Sequence, residues 1–125
     1  QHLIEVQVKG AASKEMARAA ARAIASSNLL KAAVFGADAN WGRIAMALGN
    51  SGQALDPDRV SVYLGQVQVM ERGLPLPYDE GRATEEFKRE KVLITVHLQL
   101  GEEEATAWGC DLTYDYVRIN ADYRS

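Results

Sequence analysis

The sequence predicts an α+β fold: a mixed, largely antiparallel sheet with helices packed on one face, one α/β layer pair of a larger sandwich. Three observations predict it. Ile4, Val6 and Val8 near the start, and Val92, Ile94, Val96, Leu98 and Leu100 near the end, recur at every second position, the mark of half-buried strands. An Ala-rich stretch with apolar residues at every fourth position follows the first of these runs. Helical and extended patterns then succeed one another in the order β-α-(β)-α-β-β-α-β-β, which favours a sheet with its helices in a separate layer.

The first strand, Ile4 to Val8, gives way at Gly10, which permits a turn, and Ser13 is placed to cap a helix over Ser13–Ser27. Met16, Ala20 and Ile24 form its apolar stripe, while Lys14, Arg18 and Arg22 share another face, read as a solvated surface. Leu29–Phe35 is a short apolar run, strand or helix end. The turn formers Gly36-Ala37-Asp38-Ala39-Asn40 follow, with Asp38 or Asn40 to cap a helix over Trp41–Leu48 and Trp41 largely buried. Gly49-Asn50-Ser51-Gly52 ends that helix. Val60, Val62 and Leu64, then Val67 and Val69 across Gly65-Gln66, make a hairpin. Gly73–Pro77 is a connection, and Asp79–Glu90 a charged helix with Ala83 and Phe87 inward. After the strand Val92–Leu100, Glu102-Glu103-Glu104 reads as a solvated turn. Ala105–Leu112 reads as a last strand and Tyr114–Ala121 as a short helix or extended tail.

Composition narrows the function classes. Residues 1–125 fit a single domain, long enough to bury roughly two-thirds of the unfolded surface. The formal net charge of -3, from 14 Lys+Arg and 17 Asp+Glu, offers no basic footprint for nucleic acid or an anionic membrane. The longest uncharged stretch, Ile44–Leu55, is broken by Gly49 and Gly52 and too short to cross a bilayer. The single cysteine, Cys110, excludes an intramolecular disulfide and a cysteine-cluster metal site, and fits a cytoplasmic location. The chain opens Gln1-His2-Leu3-Ile4 and enters its first strand at once. A piece of a longer polypeptide is therefore expected, the alternative being an initiator simply left off.

Most of the usual constellations of chemistry are missing. His2 and His97 are the only histidines, and His97 lies on the outward-alternating face of its strand. Cys110 has no basic neighbour in sequence to lower its pKa and reads as a buried structural thiol. No metal-ligand spacing and no glycine-rich phosphate loop occurs. Two segments remain. Phe35–Arg43 sets an Asp, an Asn, a Trp and an Arg at a helix N-terminus, where Asn40 and Arg43 are candidate donors to a carboxylate or oxyanion; a capped helix with a packed Trp is the plainer alternative. Ala105–Val117 alternates small and large residues. Its Gly109 marks a bulge or a close backbone approach, and Asp111 and Asp115 serve acid–base work, turn capping or pairing with Arg43 or Arg118.

Together these segments carry a resemblance. FGADANWGRIAMALGNSG (Phe35–Gly52) and ATAWGCDLTYDYVRINADYRS (Ala105–Ser125) resemble the C-terminal part of the ornithine acetyltransferases, the bifunctional glutamate N-acetyltransferases of arginine biosynthesis. IEVQVKGAAS (Ile4–Ser13) and KAAVFG fit as well, so the resemblance covers the whole chain. It implies a precursor that cleaves itself before a Thr, which becomes the N-terminal nucleophile of a β chain. Acetyl then passes from N-acetylornithine, through that Thr, to glutamate; some members also use acetyl-CoA as co-substrate, and no bound cofactor is expected.

The resemblance also implies what is not here. Gln1 is not Thr, and Ala83-Thr84 and Ala105-Thr106 do not lie in the family's cleavage motif. The chain then corresponds to the C-terminal region of a self-processed enzyme, inactive without its nucleophile. Its expected partners are the α chain and the missing N-terminal part of the β chain, in a homo- or hetero-oligomer, with amino-acid substrates. The family's Asn in INA and its C-terminal hydroxyl residue map to Asn120 and Ser125 as substrate-binding residues; many members end in Thr, so Ser125 keeps the hydroxyl. Asp38, Asn40 and Arg43 are expected to support the site. Two alternatives stay open: a catalytically inactive assembly or binding module, and a family relative acting on another acyl substrate.

Overall fold

A computed structural model of the protein describes residues 2–111. Six strands form one open mixed sheet in the order β4-β3-β2-β5-β1-β6. They are β1 (Leu3–Ala11), β2 (Ser61–Leu64), β3 (Val67–Glu71), β4 (Leu74–Pro75), β5 (Lys91–His97) and β6 (Glu103–Cys110). Only β1 and β5 run parallel; the other four neighbouring pairs are antiparallel. The described residues also form four α-helices: α1 (Lys14–Ala25), α2 (Asn28–Phe35), α3 (Trp41–Gly49) and α4 (Glu80–Phe87). The expected fold class holds.

Strand alternation decides the core. Ile4, Val6 and Val8 of β1, Val62 and Leu64 of β2, and Val92, Ile94 and Val96 of β5 are all fully buried on one face. Helix α1 lies across β1 and β6, and α4 reaches β2 and β5. Ala17, Ala20 and Ala21 are fully buried on α1, so the helix seats close to the sheet; Ile24 supplies the bulk. Ser13 caps it, its hydroxyl accepting from the Met16 N–H at 3.0 Å. Met16 itself is only partly buried against this core. Ala83 and Phe87 of α4 point inward and are fully buried, as their spacing predicts.

Several elements differ from the expectation, each for a local reason. Leu29–Phe35 is helical, because Ser27 caps it through the Leu30 N–H at 3.2 Å. Gly10 does not end β1. It takes φ +68° inside the strand, where the β1–β6 register shifts, and a Cβ there would lie 2.5 Å from the His97 ring. The Gly73–Pro77 connection begins with a second hairpin: Arg72 and Gly73 both have positive φ, as a two-residue type I′ turn requires, and short β4 pairs with β3. Its Pro75 sits on an edge strand, where a missing N–H costs nothing in the ladder. β6 already includes Glu103 and Glu104, and β5 ends at His97. Cys110 is exposed rather than buried, because strand alternation turns it away from the helices.

Candidate functional site

The first segment singled out in the sequence forms a cavity. The α2–α3 loop closes with the hydrogen bonds of a Schellman motif: Asp38 N–H to Ala33 carbonyl at 2.8 Å and Ala37 N–H to Val34 carbonyl at 3.0 Å. The left-handed residue is Ala37, φ 53°, not Gly36. The loop then enters α3 with Asn40 at the N-cap position. Its side chain makes no capping bond; the Oδ1 lies over the first turn instead, 3.0 Å from where a Cβ on Gly42 would stand. Trp41 is half-buried, packed against the core rather than enclosed by it.

This loop, with the approach to α4, lines a cavity of about 400 Å³. Asp38, Asn40 and Trp41 come from one side; Tyr78, Glu80 and Thr84 come from the other. Carboxylates, an amide, two hydroxyls and two aromatic faces thus converge, with the positive end of α3 beside them. Such a mixture suits a ligand that carries an ammonium together with hydrogen-bonding groups. Arg43 is half-buried, does not line this cavity and makes no ion pair among the described residues. Tyr78, Glu80 and Thr84 were not foreseen; the available signal was an aromatic residue directly before the helix cap Asp79.

The second segment is β6. Gly109 marks a close approach: a Cβ there would meet the Ala25 carbonyl oxygen at 2.5 Å. Asp111 is buried, its Oδ1 accepting the His2 N–H at 2.6 Å, with Oδ2 at 3.9 Å from His2 Nε2. Among the described residues the partner of this carboxylate is His2, not Arg43. None of the described residues of the second segment, 105–111, lines the Asp38–Thr84 cavity. Asp115, Arg118, Asn120 and Ser125 lie outside the described residues. His97 accepts the Gln99 N–H on Nδ1 at 3.2 Å and shields Gly10, a structural role.

A third cluster stands on the sheet face that no described helix covers. Glu5 accepts from Trp108 Nε1 at 3.0 Å and Gln7 Nε2 at 3.0 Å, with Lys91 Nζ at 3.3 Å. The Trp108 bond, with Lys91 and Gln7 behind it, holds this carboxyl below the ordinary glutamate range against the opposing effect of burial. Among the described residues, no group of three or more His, Cys, Asp or Glu is placed to hold a metal ion, and no helix is long and apolar enough to cross a membrane.

Comparison with known proteins decides the family. The model of the ArgJ family matches residues 1–125. The chain belongs to the ArgJ family. The arginine biosynthesis bifunctional protein ArgJ of Symbiobacterium thermophilum is 58% identical over 123 residues, covering 98% of this chain and 31% of that protein. Its counterpart from Oceanobacillus iheyensis is 50% identical over the same length, covering 30% of the relative. The crystal structure of arginine biosynthesis bifunctional protein ArgJ from Bacillus halodurans superposes with a TM-score of 0.93 at 44% identity, covering 98% of this chain and 58% of that one. The chain thus spans about a third of the length of the curated ArgJ relatives it matches. The Phe35–Gly52 and Ala105–Ser125 motifs both fall within the matched span.

Proposed function

We propose that this chain is the substrate-binding C-terminal part of an acetyltransferase that moves acetyl from N-acetylornithine to glutamate. The observation that carries the reading is the match along the whole chain to bifunctional arginine-biosynthesis proteins, at 58% identity to one of them. In this reading the nucleophile is the Thr of the family's cleavage motif. Its free α-amine serves as base for its own hydroxyl, and fixed donors hold the oxyanion that forms when the acetyl carbonyl is attacked. Gln1 cannot play that part, so the 125 residues alone form no acetyl-enzyme. Asn120 and Ser125 bind the amino-acid substrate, the amide giving and accepting hydrogen bonds and the hydroxyl adding one more. Asp38 and Asn40 act from their cavity, and Arg43 from the following turn, as supporting residues. The partners are the α chain and the remainder of the β chain, within an oligomer in the cytoplasm. No cofactor stays bound, and acetyl-CoA serves as a second acetyl donor.

The test uses the full-length enzyme. Hydrogen bonds to an ionic substrate contribute roughly 1.5–3 kcal/mol each. Asn120→Ala should therefore lower kcat/KM for N-acetylornithine-to-glutamate transfer by about tenfold or more, while self-cleavage, followed on a gel, persists. Unchanged kinetics in this variant, or transfer by the isolated 125 residues, would overturn the reading.

A further inference from the structure

Strand β6 ends at Cys110, and Asp111 closes its ladder with a side chain rather than with backbone. Opposed residues of a hydrogen-bonded antiparallel pair exchange two N–H···O bonds through their main chains. His2 and Asp111 stand one step beyond the Leu3–Cys110 pair, where such an exchange is due. The Asp111 N–H makes its half, donating to the His2 carbonyl at 3.1 Å. The returning half goes elsewhere: the His2 N–H donates to Asp111 Oδ1 at 2.6 Å, so the carboxylate stands in for the carbonyl of its own residue. A side chain that takes up a main-chain N–H in this way gives the backbone an alternative to the ladder. The carboxylate is fully buried. His2, in turn, is a fixed anchor. Its Nδ1 lies 2.6 Å from the Arg89 carbonyl oxygen, which only accepts, so this nitrogen carries a hydrogen and donates it. The Leu3 N–H donates to the Glu90 carbonyl at 2.8 Å. The start of β1 is thus held by the α4–β5 turn on one side and by Asp111 on the other.

We propose that Asp111 is a positioning residue for acetyl transfer: by taking the His2 N–H, its carboxylate stops the β1–β6 ladder and fixes the point from which the tail bearing Asn120 and Ser125 departs. The proposal rests on the reading of those two residues as substrate-binding. In that reading the nucleophile lies on the chain that leads into β1, so the His2–Asp111 clamp ties the tail to the segment it serves. The part Asp111 plays is that of a placed acceptor, not of an acid or a base, since its short contact is to main chain. Without the carboxylate, the carbonyl of residue 111 becomes the nearest acceptor for the His2 N–H, and the ladder lengthens. One added residue carries the exit point ~3.4 Å along the strand. Misplacement of a binding group by ~1 Å is enough to lower a rate by up to about a hundredfold.

The test uses the full-length enzyme and follows two signals: steady-state transfer from N-acetylornithine to glutamate, and hydrogen exchange of residues 112–125 by mass spectrometry. Asp111→Ala should quicken exchange of the tail and lower kcat/KM by about tenfold or more, chiefly by raising KM, while self-cleavage persists. Asp111→Asn should bring both signals back to within about threefold of the parent. Its amide oxygen still accepts the His2 N–H, and its nitrogen takes the place of Oδ2, 3.9 Å from His2 Nε2. On the Asn120→Ala background, Asp111→Ala should cost less than about a further threefold, because the two act through one contact. Should Asp111→Ala fail to fold, Asp111→Leu, which fills the space without an acceptor, takes its place. Unaltered tail exchange, an Asp111→Asn variant as impaired as Asp111→Ala, or fully additive losses in the double variant would each overturn the proposal. So would a parent-like KM in Asp111→Ala beside a raised KM in Asn120→Ala. Parent-like kinetics in both, with tail exchange still quickened in Asp111→Ala, would instead refute the substrate-binding reading and leave Asp111 as the anchor of the tail.

Discussion

Gly109→Ala tests how closely the helix layer lies on the sheet. The glycine is not required by backbone conformation, since its φ is not in the left-handed region. It is required by space: a methyl group there would stand 2.5 Å from the Ala25 carbonyl oxygen and 3.5 Å from Lys31 Cε. The lysine tip can swing away. The carbonyl belongs to the last residue of α1, whose Ala17, Ala20 and Ala21 are already fully buried against the sheet, so relief demands a shift of the helix. Overpacking of this kind costs about 1–3 kcal/mol. Replacing a strand glycine recovers roughly 0.5–1 kcal/mol of chain entropy. A net loss of about 1–2 kcal/mol is expected. Gly49→Ala is the control, because nothing lies within 4 Å of a Cβ at that position. It should be neutral or stabilising by up to about 1 kcal/mol, as expected for glycine in a helix. Urea denaturation of the two variants beside the parent measures both. If Gly109→Ala proves as stable as the parent with an unchanged m-value, α1 does not sit where this account requires.

At the α2–α3 loop, Ala37→Gly should stabilise by about 1 kcal/mol, because the left-handed φ of 53° disfavours a Cβ. Gly36→Ala should be tolerated, its Cβ meeting only the Ala32 carbonyl at 3.6 Å. Thermal melts showing the opposite ranking would refute the loop assignment. Glu5→Gln should flatten the acid limb of the stability profile. The folded-state pKa of Glu5 is lowered, so its contribution is present above the ordinary glutamate value of 4.5 and is lost as pH falls through the lowered value. Urea midpoints collected from neutral pH to about pH 3 should fall further for the parent than for the variant, and parallel curves would refute the assigned network.

The strand core was legible because period-two alternation is a property of single segments. Ile4, Val6, Val8, Ile94 and Val96 each needed only their own neighbours to be placed. Ala83 and Phe87 were legible for the same reason at helical spacing. What depended on distant chain was not. Cys110 reads as buried by residue type, yet its face is set by pairing with Leu3. Asp111 could be read from sequence as an acid–base group, a turn cap or a partner for arginine; among the described residues it meets His2, which registration of β1 on β6 brings beside it. The Asp38–Asn40 turn announced itself, but Tyr78, Glu80 and Thr84 join it only through the packing of α4. Glycine carried a mixed message. Gly109 was read as a bulge or a close approach and is a close approach, whereas nothing in the turn-former string Gly36–Asn40 singled out Ala37 as the residue with positive φ.

The position of β1 inside the sheet has a kinetic consequence. Its two neighbours, β5 and β6, are separated from it by roughly ninety or more residues, so its ladder closes the longest loops among the described strands. Ile4, Val6 and Val8 reach no sheet partner until nearly all of this chain is available. The β2–β3 hairpin closes across only two residues and has no such delay. Folding should thus nucleate in the β2–β3–β5 half, with β1 as the strand whose insertion completes the sheet. Pulse-labelled hydrogen exchange during refolding should show protection at Leu64 and Val67 before Val6 and Gln7. Simultaneous protection would mean that the long-range pairing is itself part of the nucleus.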